Sequence, residues 1–275
     1  MRIVQCMLGL VVAASAHAAR LDESVASIPI LVYHRFAATV DDSMTVRTER
    51  FEEQLRYLHE HGYHVVALRD VVDWVRCANA PQEPESKSCA LPPKPIAITV
   101  DDGHRSVYEV LLPIVLREKI PVTLFIYPSA ISNASYAMTW DQLRTLAGTG
   151  LFDIQSHTYW HPNFKVERRK RTPSDLAGFV HSQLARSRER LDTELGTHVN
   201  MIAWPYGIYD DQLIAIAAGE GYVAGFGLDA RRVDRESQVM ALPRFLMVDR
   251  YTPAVLAQVL GDTQEEPQPG GQKPK

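Results

Sequence analysis

Cysteine is scarce in this chain. Only Cys6, Cys77 and Cys89 occur among 275 residues. Neither Cys77 nor Cys89 has a Cys or His partner nearby at ligand spacing, which argues against a cysteine-held metal. A dominant charge sign is missing too. Lys and Arg number 29 against 33 Asp and Glu, for a formal charge of −4. With no basic domain and no basic–aromatic pattern, nucleic acid is not an expected partner. Long apolar runs are absent beyond the first residues. Residues 3–15 are mostly apolar but too short for a comfortable membrane span. They follow Arg2 and precede Ala16-His17-Ala18, the layout of a secretory signal cut after Ala18. A buried N-terminal helix is the competing reading.

The expected organisation is therefore a signal peptide over 1–18, one domain over 19–262, and a disordered polar tail over 263–275. The mature protein should be exported, periplasmic or secreted, without a membrane span. Cys77 and Cys89 flank a segment rich in Pro, Glu and Ser. In an oxidising compartment such a pair suits a disulfide, with two free thiols as the alternative.

Apolar residues make up 46% of the chain, enough for a full core. Short β-branched or aromatic runs at 28–33, 63–68, 96–100, 122–127, 152–156, 201–204, 222–226 and 241–247 read as strands. Helical spacing or capping marks 48–62, 69–76, 106–118, 139–148, 173–195, 211–219 and 253–260. The longest helix has Thr172 as N-cap, Pro173 at its first position and Gly196 beyond its end. Such alternation predicts an α/β fold, a distorted (β/α) barrel of about seven parallel strands. His34, Asp101-Asp102, His157 and Pro205-Tyr206-Gly207 all follow strand C-termini. In a parallel barrel those ends share one face, where active sites form.

Asp101 and Asp102 end a buried strand, and a period of two sends their side chains to different sides. One can bind a cation while the other stays free as a base. Gly103 permits a tight turn after them, and an ordinary turn is the plain alternative. His157 and His161 have three residues between them, and Pro162 biases His161 away from the α region. A strand end plus a loop can bring both rings to one ion, and Thr158 can hold an imidazole by a hydrogen bond. Two imidazoles and a carboxylate are a usual set for a catalytic zinc, although nickel and cobalt accept them as well. Two core or surface histidines beside Tyr159 and Trp160 are the other reading. Arg168-Arg169-Lys170-Arg171 reads as a solvated loop, with an anionic polymer or lipid head group as the sharper alternative.

These segments carry a resemblance. Ile98-Thr99-Val100-Asp101-Asp102-Gly103, Ser156-His157-Thr158-Tyr159-Trp160-His161 and Ala203-Trp204-Pro205-Tyr206-Gly207 resemble three motifs of the polysaccharide deacetylase family (NodB homology, carbohydrate esterase family 4). The resemblance implies a metal-dependent hydrolase with Asp101 as general base. Asp102, His157 and His161 would be metal ligands, and the Tyr206 N–H an oxyanion donor. Pro29-Ile30-Leu31-Val32-Tyr33-His34, Gly62-Tyr63 and Leu242-Pro243-Arg244 are similar to the subgroup acting on poly-β-1,6-N-acetylglucosamine of biofilm matrix. Two departures from the common pattern stand out. No Arg occurs between Val199 and Tyr206, and no His after His198. The subgroup's permuted arrangement makes His34 the expected acid, and Arg244 the candidate for the missing guanidinium, against a plain surface ion pair. Trp160, Trp204, Tyr206 and Tyr159, with Pro205, are candidate sugar contacts, against rim or core packing. Chitin oligomers, peptidoglycan and xylan remain alternative substrates. A non-catalytic sugar-binding module aiding polymer export remains an alternative class. The expected partners are the polysaccharide itself and polymer-export machinery.

Overall fold

The computed structural model describes residues 25–79 and 89–262. The signal over 1–18 and the tail over 263–275 lie outside the described residues. Seven strands run side by side, all parallel: β1 Ile30–Tyr33, β5 Pro95–Asp101, β6 Val122–Ile126, β7 Phe152–Ser156, β8 Met201–Ala203, β9 Ala224–Phe226 and β10 Phe245–Leu246. Their order is β10-β1-β5-β6-β7-β8-β9, and β4 (His64–Val65) pairs with the first residues of β5. A small parallel ribbon joins β2 (Arg35–Ala37) to β3 (Thr45–Arg47). The helices are α1 Thr48–Glu60, α2 Leu68–Asn79, α3 Leu112–Glu118, α4 Trp140–Gly148, α5 Phe164–Lys170, α6 Pro173–Leu195, α7 Asp211–Gly219 and α8 Pro253–Leu260. This is the predicted α/β architecture, a curled parallel sheet wrapped by helices.

The curl brings the two edges of the sheet to a single segment. Leu242 bridges in parallel to Phe226 at the end of β9, exchanging bonds of 2.7 and 2.8 Å with Gly225 and Gly227. Three residues later Phe245 pairs with Leu31 of β1. Sequence reading makes 241–247 one strand, but only its end is a strand, after a 3₁₀ turn at Val239–Ala241. Pro243 offers no N–H to a ladder, so the pairing changes partner around it. Between the two pairings Arg244 turns inward, to Asp101 and the Gly227 carbonyl.

β5 is buried along its whole length. Ile96, Ile98 and Val100 join the core under the helices, whereas Ala97 joins a second core with Phe125, Ala203, Phe226 and α2. A period of two thus places Thr99 and Asp101 on the Ala97 side, inside the curl.

Three local expectations change. The 63–68 strand shrinks to β4. The 106–118 helix begins as a π-helical turn over Val107–Leu111, in which the Leu112 N–H reaches back to the Val107 carbonyl. Pro113 cannot donate to the carbonyl four residues before it, and the wider turn absorbs that gap. The basic run at 168–171 is not a solvated loop but the end of α5, which Asn163 caps. Arg168 pairs with Asp210, and Lys170 and Arg171 pair with Glu167. Cationic side chains suit a helix C-terminus. Cys77, in α2, is bonded to Cys89 with Cα atoms 6.4 Å apart.

Candidate active site

A pocket of about 150 Å³ is lined by His34, Met44, Asp101, Asp102, His157, His161, Trp204, Tyr206, Leu228 and Leu246. Strand ends supply its polar residues, because β1, β5, β7 and β8 all stop at its floor. A larger groove of about 310 Å³ lies between α1 and α3. Both its carboxylates pair with Arg117, and no metal-ligand cluster among the described residues falls in it.

Asp102, His157 and His161 each offer one ligand atom, and these atoms all lie within 4.8 Å of one another. Asp102 Oδ1 is 3.7 Å from Nε2 of both histidines. Ligands about 2.0–2.1 Å from a tetrahedral ion stand roughly 3.3 Å apart, so the three atoms would draw closer to seat a cation. The expectation that Asp101 and Asp102 point to different sides fails. Asp102 leaves the strand at φ +76°. Its carboxylate therefore swings to the same imidazole that Asp101 approaches, at 3.7 and 3.9 Å. Gly103 follows at φ +78°, where a Cβ would meet Ile126 Cδ1 at 3.0 Å, so the turn needs glycine.

The histidine loop is held by its own polar frame. His157 Nδ1–H donates to the Ala203 carbonyl at 2.7 Å, which fixes the tautomer and turns the Nε2 lone pair toward Asp102. Thr158 does not hold an imidazole as expected; its Oγ1 accepts the His161 backbone N–H at 3.2 Å. Thr158 and His161 both have left-handed backbones, at φ +63° and +61°. Such residues persist only where their surroundings fix them. Here Ser156 Oγ accepts the Thr158 N–H, Gln183 Oε1 accepts the Trp160 N–H, and Ser187 bonds to Ser156. Gln183 and Ser187 are buried residues of α6 that sequence reading passes over as plain helix. If Asp102, His157 and His161 hold a divalent cation, the Gln183→Leu variant should bind it about tenfold more weakly in a chelator-competition titration, because it leaves the loop's Trp160 N–H unpaired. Unchanged affinity would mean the loop holds its shape without α6.

Arg244 is fully buried, which removes the surface ion-pair alternative. It donates two parallel bonds to Asp101, both 2.8 Å, and further bonds to Thr99 Oγ1 and the Gly227 carbonyl, both 3.1 Å. Burial alone would raise the Asp101 carboxyl, but the Arg244 charge, His157 and the paired hydrogen bonds outweigh it and hold the group down at about 2. Asp101 is thus ionised across the physiological range. Burial, and then the neighbouring His157 ring, hold His161 down at about 4, so its ring is neutral and free to ligate.

A profile of the family described as polysaccharide deacetylase matches residues 89–225. The chain belongs to this family. Among curated relatives of this polysaccharide deacetylase is the poly-beta-1,6-N-acetyl-D-glucosamine N-deacetylase of Staphylococcus aureus. The two are 23% identical over 209 residues, 74% of this chain and 68% of the relative. Among solved structures, IcaB from Ammonifex degensii superposes with a TM-score of 0.71 at 22% identity, covering 86% of this chain and 98% of that one. The Streptococcus pyogenes deacetylase PplD in complex with acetate gives 0.70 at 22% identity, covering 85% and 98%. These likenesses establish the fold as that of the family.

The profile ends before Arg244 and starts after His34, yet the deacetylase fold puts His34 in the pocket lining and Arg244 behind it, against Asp101. Burial lowers the His34 pKa, Asp101 and Asp102 pull against it, and its Nδ1 has no hydrogen-bond partner among the described residues. The expected sugar contacts separate. Tyr206 lines the pocket, is 58% exposed and stands 4.6 Å from the His161 ring, centroid to centroid. Its backbone is left-handed at φ +58°, while the N–H groups of Gly207 and Ile208 bond back to Trp204 and Pro205. Trp204 is corrected to a core residue: it has no exposed surface, and its indole N–H donates to the Met240 carbonyl at 2.9 Å. It backs the pocket wall without offering a face to a sugar. Pro205 is buried as well. Trp160 is exposed but packs edge-on against Phe179 away from the pocket-lining set, and Arg186 covers the Tyr159 ring at 3.9 Å.

Proposed function

We propose that this deacetylase is a metal-dependent hydrolase that removes N-acetyl groups from an amino-sugar polymer, namely poly-β-1,6-N-acetylglucosamine of an exopolysaccharide or biofilm matrix. One observation carries the reading: the Asp102, His157 and His161 cluster shares a pocket with a carboxylate clamped by a buried arginine. The name of the Staphylococcus aureus relative supports the choice of polymer. Asp102, His157 and His161 would hold the cation. Zinc suits this donor set, and nickel and cobalt accept it. A bound divalent cation supplies Lewis acidity, acidifying water and polarising the acetyl carbonyl.

Asp101 then acts as general base, taking a proton from the water whose oxygen attacks the carbonyl carbon. Arg244 keeps that base ionised and fixed in direction. The Tyr206 N–H donates to the carbonyl oxygen as negative charge builds on it. When the C–N bond breaks, the amine needs a proton, and His34 is the donor. Its lowered pKa makes the imidazolium a stronger acid toward the amine, while leaving a smaller share of His34 charged at neutral pH. Acetate and a free amino sugar leave. The missing motif-three arginine and late histidine favour the non-catalytic alternative; against it, Arg244 clamps Asp101 from behind and His34 lines the pocket, so each can stand in for the missing group.

The reading puts the enzyme outside the cytoplasm, periplasmic or secreted, where exported polymer and its export machinery meet it. The signal-like first 18 residues support this, and the Cys77–Cys89 bond suits an oxidising compartment. No described helix is long and apolar enough to cross a membrane. The deciding measurement is acetate release from a β-1,6-linked N-acetylglucosamine oligomer, with and without chelator. Release should stop with chelator and return with zinc. Faster release from chitin oligomers, peptidoglycan or acetylated xylan would reassign the polymer, and release indifferent to chelator would remove the metal.

A further inference from the structure

From the His161 ring a run of further rings leads away from the pocket-lining set. Tyr127, just past β6, stands 5.4 Å from the His161 ring. Its hydroxyl bonds to the Tyr136 hydroxyl at 2.7 Å. Tyr136 in turn lies nearly parallel to His104, with an interplanar angle of 8° and centroids 6.4 Å apart. Tyr136 is 41% exposed, a large aromatic side chain left on the surface beside the catalytic loop.

Backbone pairing fixes the group. Arg105 N–H donates to the Tyr136 carbonyl at 2.8 Å, Met138 N–H to the Gly103 carbonyl at 3.0 Å, and His104 bridges antiparallel to Ala137. The loop after β6 is thereby stitched to the turn that carries Asp102. A ring held this way presents a rigid apolar face with a polar edge and loses little freedom on binding. A pyranose offers the complement, a C–H face with hydroxyls at its rim. Arg35, whose Nε is buried without a hydrogen-bond partner among the described residues, lies close enough to influence both His104 and Tyr127.

We propose that Tyr136, backed by His104 and Tyr127, forms a subsite for the hexopyranose unit next to the one being deacetylated. Tyr136 stacks on that unit's apolar face, and the two tyrosine hydroxyls and His104 meet its hydroxyl rim. The subsite rests on the proposed polymer chemistry for the identity of the sugar, but not for its own existence. It makes the enzyme prefer chains over single units, through binding and not through the chemical step.

The experiment compares wild type, Tyr136→Ala, Tyr136→Phe and His104→Ala on a β-1,6-linked N-acetylglucosamine pentamer and on N-acetylglucosamine itself. Binding of the fully deacetylated pentamer is measured in parallel by calorimetry. For Tyr136→Ala the pentamer KM should rise about tenfold with kcat kept, and the deacetylated pentamer should bind about tenfold more weakly. Tyr136→Phe should stay within about twofold, His104→Ala should fall between them, and turnover of the monomer should not change. An unchanged pentamer KM with unchanged calorimetric affinity in Tyr136→Ala would overturn the subsite, and so would an equal KM rise on the monomer. If wild type releases no acetate from either substrate, the polymer assignment fails. Calorimetry with pentamers of other linkages then still decides the subsite.

Discussion

Arg244→Met will cost this enzyme both its activity and a large part of its stability. The guanidinium and Asp101 form a fully buried bidentate pair. Removing one partner of such a pair typically costs about 3–5 kcal/mol, because the other charge stays buried. For a domain of this size that is a melting shift of roughly 10 °C. The activity loss has a separate cause. Asp101 keeps its burial but loses the charge that outweighed it, so its pKa climbs and the base is protonated at pH values where it should work. A fall in kcat on the order of 10²- to 10⁴-fold, as for loss of a general base, is expected. The acid limb of the pH–rate profile should move upward. Arg244→Lys, with a charge but no fork, should recover stability better than rate. A wild-type acid limb in Arg244→Met would sink this account. In the wild-type protein the sign runs the other way. The folded pKa of Asp101 is depressed, so its stabilising effect is full above the unfolded value of about 3.9 and is lost as pH falls toward about 2.

The two histidines should fail differently when each is replaced by alanine. His161→Ala is expected to abolish tight zinc binding and lower acetate release by about 10³-fold or more, with the metal-free protein melting close to wild type. Its ring sits at the pocket wall, partly exposed, and among the described residues its nearest polar partner is Asp102 at 3.7 Å. His157→Ala should lose zinc equally but also destabilise the metal-free protein by about 2–3 kcal/mol. That imidazole is buried, and its removal leaves the Ala203 carbonyl without its donor. Metal content by elemental analysis and melting of the apo proteins test both halves. Stoichiometric, chelator-resistant zinc in His161→Ala would remove that residue from the ligand set.

Much of this site is legible in sequence because strand ends are legible. Buried runs such as 96–100 and 152–156 end where their polarity changes, and a parallel sheet sends all those ends to one face. Helices with strong caps were equally plain: α6 starts at Pro173 after Thr172, which accepts the Asp175 N–H, and ends before Gly196 at φ +64°. What sequence could not show depends on single backbone angles and on depth. Period two separates Asp101 from Asp102, and one left-handed residue undoes it. Trp204 reads as a sugar platform because it neighbours the pocket motif, but its side chain belongs to the core. Arg244 was legible only through family resemblance; His34 stood out as a strand-end residue, but its role as acid came from the resemblance alone. Tyr127 and Tyr136 gave no signal, because loop tyrosines are ordinary until a fold sets them in line.

The segment from Leu242 to Leu246 touches β9 at one end and β1 at the other, with Arg244 between them. A ribosome delivers this stretch after every proposed zinc ligand has already emerged. Until it docks, the nascent sheet has an open flank and Asp101 has no counter-ion. The proposed base therefore depends on this closing seam for its counter-ion, whereas Asp102, His157 and His161 all come from segments that precede it in the chain.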